Sequence, residues 1–385
     1  MRVVLVNEIK IVAWMQLQTG YQYIEKGDSN YMKNVAVVGA GIMGCLLALR
    51  LQNEGWQVTL FEAESFFNNC SNAAAGLLAP MSELDKAEQV IFNLGMESVD
   101  TLWRSVLNQL AAPVYFRQKG CLVVHHPQDK AEWQQFSGRI VNKLSDSCYQ
   151  LLTQNELSQL EPELGQLKMA YYFPKEAQLD NQTLLLELKK HLCQHGAIWR
   201  DHSFVSRVHP GEIETGEKSY PFDFVFDCRG LGAKSTFPNL RGLRGELLWL
   251  HAPDVQLKRP IRLLHPRYNI YIAPRPNSYY LIGASELETE DSSPISVRTT
   301  LELLTAAYYV HRGFAEARVV KTVTHCRPTL VHHQPRIRYT QQFIAVNGLY
   351  RHGYLIAPAL VEEILRGIKS NQKDICYPEL WEAYT

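Results

Sequence analysis

The sequence predicts a mixed α/β (α+β) fold, a parallel sheet interleaved with a separate antiparallel one. Three observations carry that expectation. A short β-branched run, Asn34 to Val38, is followed by apolar residues at helical spacing and by a second run, Gln57 to Phe61, which together make one βαβ unit. A further apolar run, Phe222 to Asp227, leads into a second glycine turn. Between Gly245 and Glu286 the apolar segments become short and are bounded by Pro, Asn or Gly, as antiparallel strands are.

Each element has its own local signal. The first helix is expected over Cys45 to Asn53, with Gly55 supplying the left-handed residue past its end. Helical spacing around Ala87 to Leu110 and Thr153 to Leu160 marks a mixed segment over residues 85–165. Asp180 is placed to cap a helix from about Thr183 to His195, stopped by Gly196. Strands follow at Ala197 to Trp199, Ser203 to Val208 and Glu212 to Thr215. In the later region Leu247 to Leu250, Ile270 to Ala273 and Tyr279 to Ile282 read as strands and Val297 to Tyr309 as a helix. The last strand is Phe343 to Val346 and the last helix Leu360 to Ile368.

Composition narrows the function classes. Apolar residues make up 46% and charged residues 20% of 385, ordinary for a soluble globular chain. Lys plus Arg and Asp plus Glu both number 39, so no basic field exists to attract a nucleic acid. The eight cysteines form no CxxC pair and read as reduced thiols of a cytoplasmic protein. His191 and His195 lie four residues apart around Cys193, but two ligands do not make a zinc site, and the pair reads as a solvated helix end. No metal is expected. Residues 1–31 read as an N-terminal extension, or as an added helix or edge strand. Glu8 and Lys10 break its apolar stretches, so neither a signal core nor a membrane span is expected, and Met32 stands just before the first strand as a possible start.

Chemistry enters at Gly39, Gly41 and Gly44, a GxGxxG placed after a buried strand and before a helix. Gly39 permits the tight turn and Gly41 lets backbone approach a pyrophosphate. Gly44 lets the helix pack on the strand while its first amides, near Ile42 and Met43, face the anion. Glu62, eighteen residues after Gly44, ends the next strand where a carboxylate accepts from a ribose diol and repels a 2′-phosphate. A Rossmann-like dinucleotide site follows, though this motif does not separate NAD from FAD.

Two further stretches bear on that choice: SNAAAGLLAP from Ser71 to Pro80 and FVFDCRGLGA from Phe224 to Ala233. Here the chain resembles the D-amino acid oxidase family of flavoproteins, most closely the bacterial glycine oxidases. The resemblance continues through Arg244, Gly245 and Glu246, the run from Tyr271 to Ser285, Cys326 to Pro328, and YRHGYLIAP from Tyr350 to Pro358. It implies noncovalent FAD, with Ser71, Ala74, Ala75, Gly76 and Leu77 passing close to the flavin and Gly230, Gly353 and Tyr354 also at the cofactor. It further implies a discontinuous FAD-binding domain of residues 33–80, 176–235 and 322–370. Residues 81–175 and 236–321 would form a substrate domain and 371–385 a tail.

The same resemblance makes Arg327 the clamp for a substrate carboxylate, Arg351 a second arginine near the mouth, and Tyr271 a hydroxyl that orients the carboxylate. A guanidinium fork suits that task because it binds carboxylate bidentately. The implied reaction is hydride transfer from a small amine or amino acid, like glycine, sarcosine or a D-amino acid, to flavin. Its products would be an imine and then an oxo acid and ammonia, with hydrogen peroxide formed from oxygen. The chain departs from the family pattern at Arg229, at Thr329 to Arg336, and at Leu349, where family members commonly carry His. Cys326 lies near where sarcosine oxidases attach flavin, one residue out of register. Two other readings stay open: a flavoenzyme whose amine is carried on a protein side chain or a modified tRNA base, and a flavin-binding partner protein without turnover. A homo-oligomer is compatible with all of these.

Overall fold

The computed structural model describes residues 33–65, 68–266 and 269–384, so the expectation for residues 1–31 lies outside the described residues. The strand Asn34–Val38 pairs in parallel with Gln57–Phe61 on one side and Phe224–Asp227 on the other. Ile198–Arg200 extends the first side and Phe343–Asn347 the second, both in parallel. Antiparallel Arg336–Thr340 and then Trp381–Ala383 complete a seven-stranded sheet. The chain leaves Asn34–Val38 toward one edge and later returns to its other side, so the turn after Val38 sits where the strand order reverses. In open α/β sheets that crevice, at the carboxyl ends of the strands, is where ligands bind.

Helices Ile42–Asn53, Asn181–Gln194 and Gly353–Ser370 pack together against this sheet. Their buried faces carry Leu46, Leu47, Leu188, Leu360 and Ile364, which meet Val35, Val37, Leu60, Ile344 and Val346 from the strands. The helix of the βαβ unit starts at Ile42, earlier than the periodicity suggested, because the Gly41 turn leads straight into it. Asp180 caps the next helix as expected, accepting from the amides of Gln182 and Thr183. The last helix begins two turns before Leu360. Pro358 hid that start, but the helix tolerates it within buried packing.

A second, eight-stranded sheet runs in the order Arg318–Thr329, Arg241–His251, Tyr279–Gly283, Asn269–Arg275, Ile261–Leu264, Cys121–His125, Met169–Phe173, Gln150–Thr153. It is antiparallel except where Ile261–Leu264 meets Cys121–His125. The segment over residues 85–165, read from sequence as mixed and helical, thus also supplies two strands of this sheet, Cys121–His125 and Gln150–Thr153. Ser203 to Val208 is corrected: only Arg207–His209 is strand there, part of a small three-stranded sheet. The strand Arg318–Thr329 gave no sequence signal, and the boundary drawn at residue 322 falls inside it.

Alternation sorts this second sheet into two faces. Leu248, Leu250, Ile270, Ile272, Tyr280 and Ile282 pack with Leu303, Ala306, Ala307 and Val310 of helix Val297–Val310. Their neighbours Leu247, Trp249, Tyr271, Ala273, Leu281 and Val323 cluster instead with Ala75 and Leu77. The second face is the one that closes over the crevice of the first sheet. From Asn34 onward both sheets belong to one compact unit. Among the described residues no helix is long and apolar enough to cross a membrane, and no group of three His, Cys, Asp or Glu is placed to hold a metal ion. The rings of His191 and His195 stack 4.0 Å apart at their helix end.

Candidate active site

A cavity of about 560 Å³ lies between the parallel sheet's carboxyl edge and the apolar face of the second sheet. It is lined by Gly39, Gly41, Ile42, Met43 and Glu62 at one end, by Ser71, Ala74, Ala75, Gly76 and Leu77 along its length, and by Tyr271, Arg327 and Arg351 at the other. Gly230, Gly353 and Tyr354 also reach it. Of the residues given a cofactor or substrate role from sequence only Gly44 stays off the wall. A Cβ there would overlap the Gly39 carbonyl oxygen, so its part is to let helix and strand approach.

Local geometry explains the glycine turn. Gly39 has φ +102°, and a Cβ on it would lie 2.5 Å from the Cys228 carbonyl oxygen, so this position admits only glycine. The Ala40 and Ala63 amides donate to the two Glu62 oxygens at 2.9 Å each. Burial raises the Glu62 pKa, and those amide donors oppose the rise. The Glu64 amide adds to them, and the carboxylate still has acceptor capacity for a diol. The Ile42 amide is held by Ser71 Oγ at 2.9 Å, while among the described residues the Gly41 and Met43 amides have no hydrogen-bond partner. Unpaired amides at a helix start, a bare glycine wall and a carboxylate at the next strand end fit the diphosphate and ribose of an extended dinucleotide.

The small-residue segment is pinned at several points. Asn181 Nδ2 donates to the Ser71 and Asn72 carbonyls at 3.0 Å, Tyr354 donates its hydroxyl to Ser71 O at 2.9 Å, and Arg275 donates to Ala75 O. Gly76 takes φ +61° beside Leu179. Arg229, the departure in the second glycine turn, folds back onto fully buried Asp227 with Nη2 2.8 Å from Oδ2, and Nη1 donates to Val205 O. Its length is spent on an ion pair, which lets a long side chain occupy a position beside the cavity.

At the far end the two predicted arginines differ in kind. Arg327 packs its guanidinium against Gly245 and, among the described residues, donates only to Ser285 O, at 3.2 Å, and has no ion pair. Tyr271 sits beside Gly283 with no hydrogen bond to its hydroxyl among the described residues, and burial raises its pKa against the opposing pull of Arg327. Arg351 is already occupied. Nε and Nη2 each lie 2.7 Å from Glu83 Oε2, and Nη1 lies 3.2 Å from Glu286 Oε2 and 3.1 Å from the Tyr350 hydroxyl.

Burial alone would raise Glu83, but Arg351 and Arg262 overcome it and hold the carboxyl at about 2. Glu286 is likewise held below the usual range by Arg351 despite its burial. Burial and Arg351 push His352 down to about 3, so this histidine is neutral at working pH. The altered loop after Arg327 joins the same wall: the His333 ring stacks on Tyr350 at 4.5 Å. Glu83 and Glu286 were not marked from sequence, and Tyr350 only as the first residue of the YRHGYLIAP run. The available signal was slight, a single acidic residue directly after each of two otherwise apolar or small segments.

Glu176 is fully buried and accepts from the Ser82 amide at 2.6 Å and the Ser82 hydroxyl at 3.0 Å. Burial raises its pKa from 4.5 to about 7. A carboxyl raised in the folded state contributes stability that is full below 4.5 and is lost as pH rises through about 7. Glu176→Gln is therefore expected to stabilise the protein more at pH about 8 than at about 5. Melting temperatures of both proteins across that range test it, and parallel curves would refute it.

The family model described as DAO, FAD dependent oxidoreductase, matches residues 34–364. This chain belongs to that family. Among curated relatives of the DAO chain, a Rhizobium etli protein named as a thiamine biosynthesis oxidoreductase, ThiO, is 36% identical over 340 residues, covering 88% of this chain and 97% of that one. The glycine oxidase of Geobacillus kaustophilus is 22% identical over 348 residues, covering 84% and 90%. In fold, the glycine oxidase of Bacillus cereus matches with a TM-score of 0.78 at 21% identity, covering 90% of this chain and 99% of its own. The iminodiacetate oxidase of a Chelativorans species matches at 0.76 and 22%, covering 91% and 99%. The protein is thus an FAD-dependent oxidoreductase of mixed α/β fold.

Proposed function

We propose that this DAO-family enzyme oxidises a small amino acid or carboxylate-bearing amine, in the manner of glycine oxidase, with Arg327 as the carboxylate clamp. The observation that carries the reading is an unpaired guanidinium in the wall of a cavity whose other end suits a dinucleotide. An arginine left without a carboxylate in a half-buried site is costly unless a ligand completes it.

FAD would lie with its diphosphate on the Gly39 to Met43 turn, its ribose on Glu62 and its ring along Ala74 to Leu77, and when bound it supplies the hydride acceptor and returns the electrons to oxygen as peroxide. The chain's own contribution is positioning. Arg327 holds the carboxylate through its free N–H groups, and Tyr271 donates a second hydrogen bond from a phenol kept protonated by burial. Arg351, fixed by Glu83 and Glu286, shapes the wall. Leu247, Leu349 and Ala75 exclude water around the α-carbon, whose hydrogen must point along the cavity as the neutral amine binds. The released imine would hydrolyse to an oxo acid and ammonia. Noncovalent attachment is favoured because Cys326, although it reaches the cavity wall, has its Sγ 3.8 Å from the Thr289 carbonyl and its pKa raised by burial, which disfavours the reactive thiolate.

Anaerobic addition of glycine, sarcosine, proline or D-alanine to the yellow protein is expected to bleach the flavin bands with at least one of them. Bound FAD that none of these donors reduces would refute the small-substrate reading and favour an amine carried on a macromolecule.

A further inference from the structure

The substrate end of the cavity carries charges of both signs in a fixed order. Among the described residues Arg327 has no ion pair. Directly after Ser285, whose carbonyl takes the Arg327 hydrogen bond, comes Glu286, with its side chain one-third exposed and a lining residue of the cavity. Glu286 and Glu83 are both in direct ion-pair contact with one guanidinium, that of Arg351, so once Arg327 is engaged by a ligand these two ionised carboxylates have one contacting cation between them. The nearby cations do not cancel the surplus. Arg262 pulls on Glu83 but is itself neutralised by Asp85 at 3.1 Å, and Arg275 donates from Nη1 and Nη2 to Gln178, Pro274 and Ala75; neither lines the cavity. His352 is neutral, and the Tyr350 hydroxyl is kept protonated by burial.

We propose that Glu286 is a specificity-determining residue that restricts the site to amines bearing a single carboxylate and excludes dicarboxylic ones. The inference rests on the carboxylate-clamp reading above and narrows its substrate class. A molecule anchored on Arg327 has its remaining groups bounded by Glu83, Glu286 and Tyr350. An ammonium or uncharged group is accepted there. A second carboxylate meets a surplus negative charge inside a partly desolvated wall, where like charges are screened far less than in water. The fold itself imposes no such limit, since the iminodiacetate oxidase that shares it is named for an amine with two carboxylates.

The test is a titration of the purified FAD-loaded protein near neutral pH with acetate and with malonate, followed by calorimetry and by the flavin spectrum. Sarcosine and iminodiacetate are run in parallel as turnover substrates. Acetate is expected to bind at least about tenfold tighter than malonate. Glu286→Gln, in which Arg351 keeps Glu83 as partner, is expected to shrink that ratio severalfold, and Glu286→Asp, which keeps the charge, to preserve it. Malonate binding as tightly as acetate, or a ratio unmoved in Glu286→Gln, overturns the inference and leaves the clamp standing. Failure of both acids to bind overturns the clamp and the inference together. The expected ratio without turnover of any donor upholds the inference while refuting the proposed reaction.

Discussion

Arg327→Ala is expected to lower kcat/KM for a carboxylate-bearing amine such as sarcosine by roughly 30- to 1000-fold, about 2 to 4 kcal/mol of charge-assisted hydrogen bonding. The size follows from what the guanidinium does in the free protein. It gives one hydrogen bond to Ser285 O and has no carboxylate partner among the described residues, so nothing within the chain substitutes for the ligand. Loss should appear mainly in KM if the clamp binds ground and transition states alike, and in kcat as well if it aims the α-carbon. Arg327→Lys keeps the charge but not the fork and should fall between. A steady-state comparison with unchanged constants would remove Arg327 from the site.

Gly44→Ala is expected to cost the fold more than about 2 kcal/mol and to weaken FAD retention. A methyl at this position would overlap the Gly39 carbonyl oxygen and lie 3.3 Å from Val37. The helix Ile42–Asn53 can escape only by moving off the sheet, which opens the turn that carries Gly39 and Gly41. Gly138→Ala is the contrast. It lies within helix Lys130–Lys143 with nothing within 4 Å of the added methyl, so helix propensity alone applies and a gain of up to about 1 kcal/mol is expected. Melting temperature and bound flavin per protein measure both variants. Equal behaviour of the two would show that contact with Gly39 does not govern the turn.

The βαβ unit and its acidic residue were legible because each step is local. A β-branched run, three spaced glycines, a helical period and a terminal glutamate fall within one short stretch of chain, and their backbone demands do not depend on distant partners. The Asp180 cap was legible for the same reason. The strand Arg318–Thr329 was not. Its outer half is exposed, Arg318 to Lys321, and its regularity comes from eleven residues of pairing with Arg241–His251, which no local pattern encodes.

The two arginines mark the boundary between what each level decides. By itself the sequence determined a glycine turn between strand and helix with an acidic strand end, a pattern suited to an extended nucleotide, and arginines and a tyrosine in segments resembling a substrate site. Residue types and short spacings suffice for that. Only the tertiary structure decided that, among the described residues, Arg327 has no carboxylate partner while Arg351 is shared by Glu83 and Glu286. Those carboxylates arrive from positions 268 and 65 residues away. Charge balance at a buried site is a sum over whatever the fold gathers there, and sequence separation carries no information about which charges will meet.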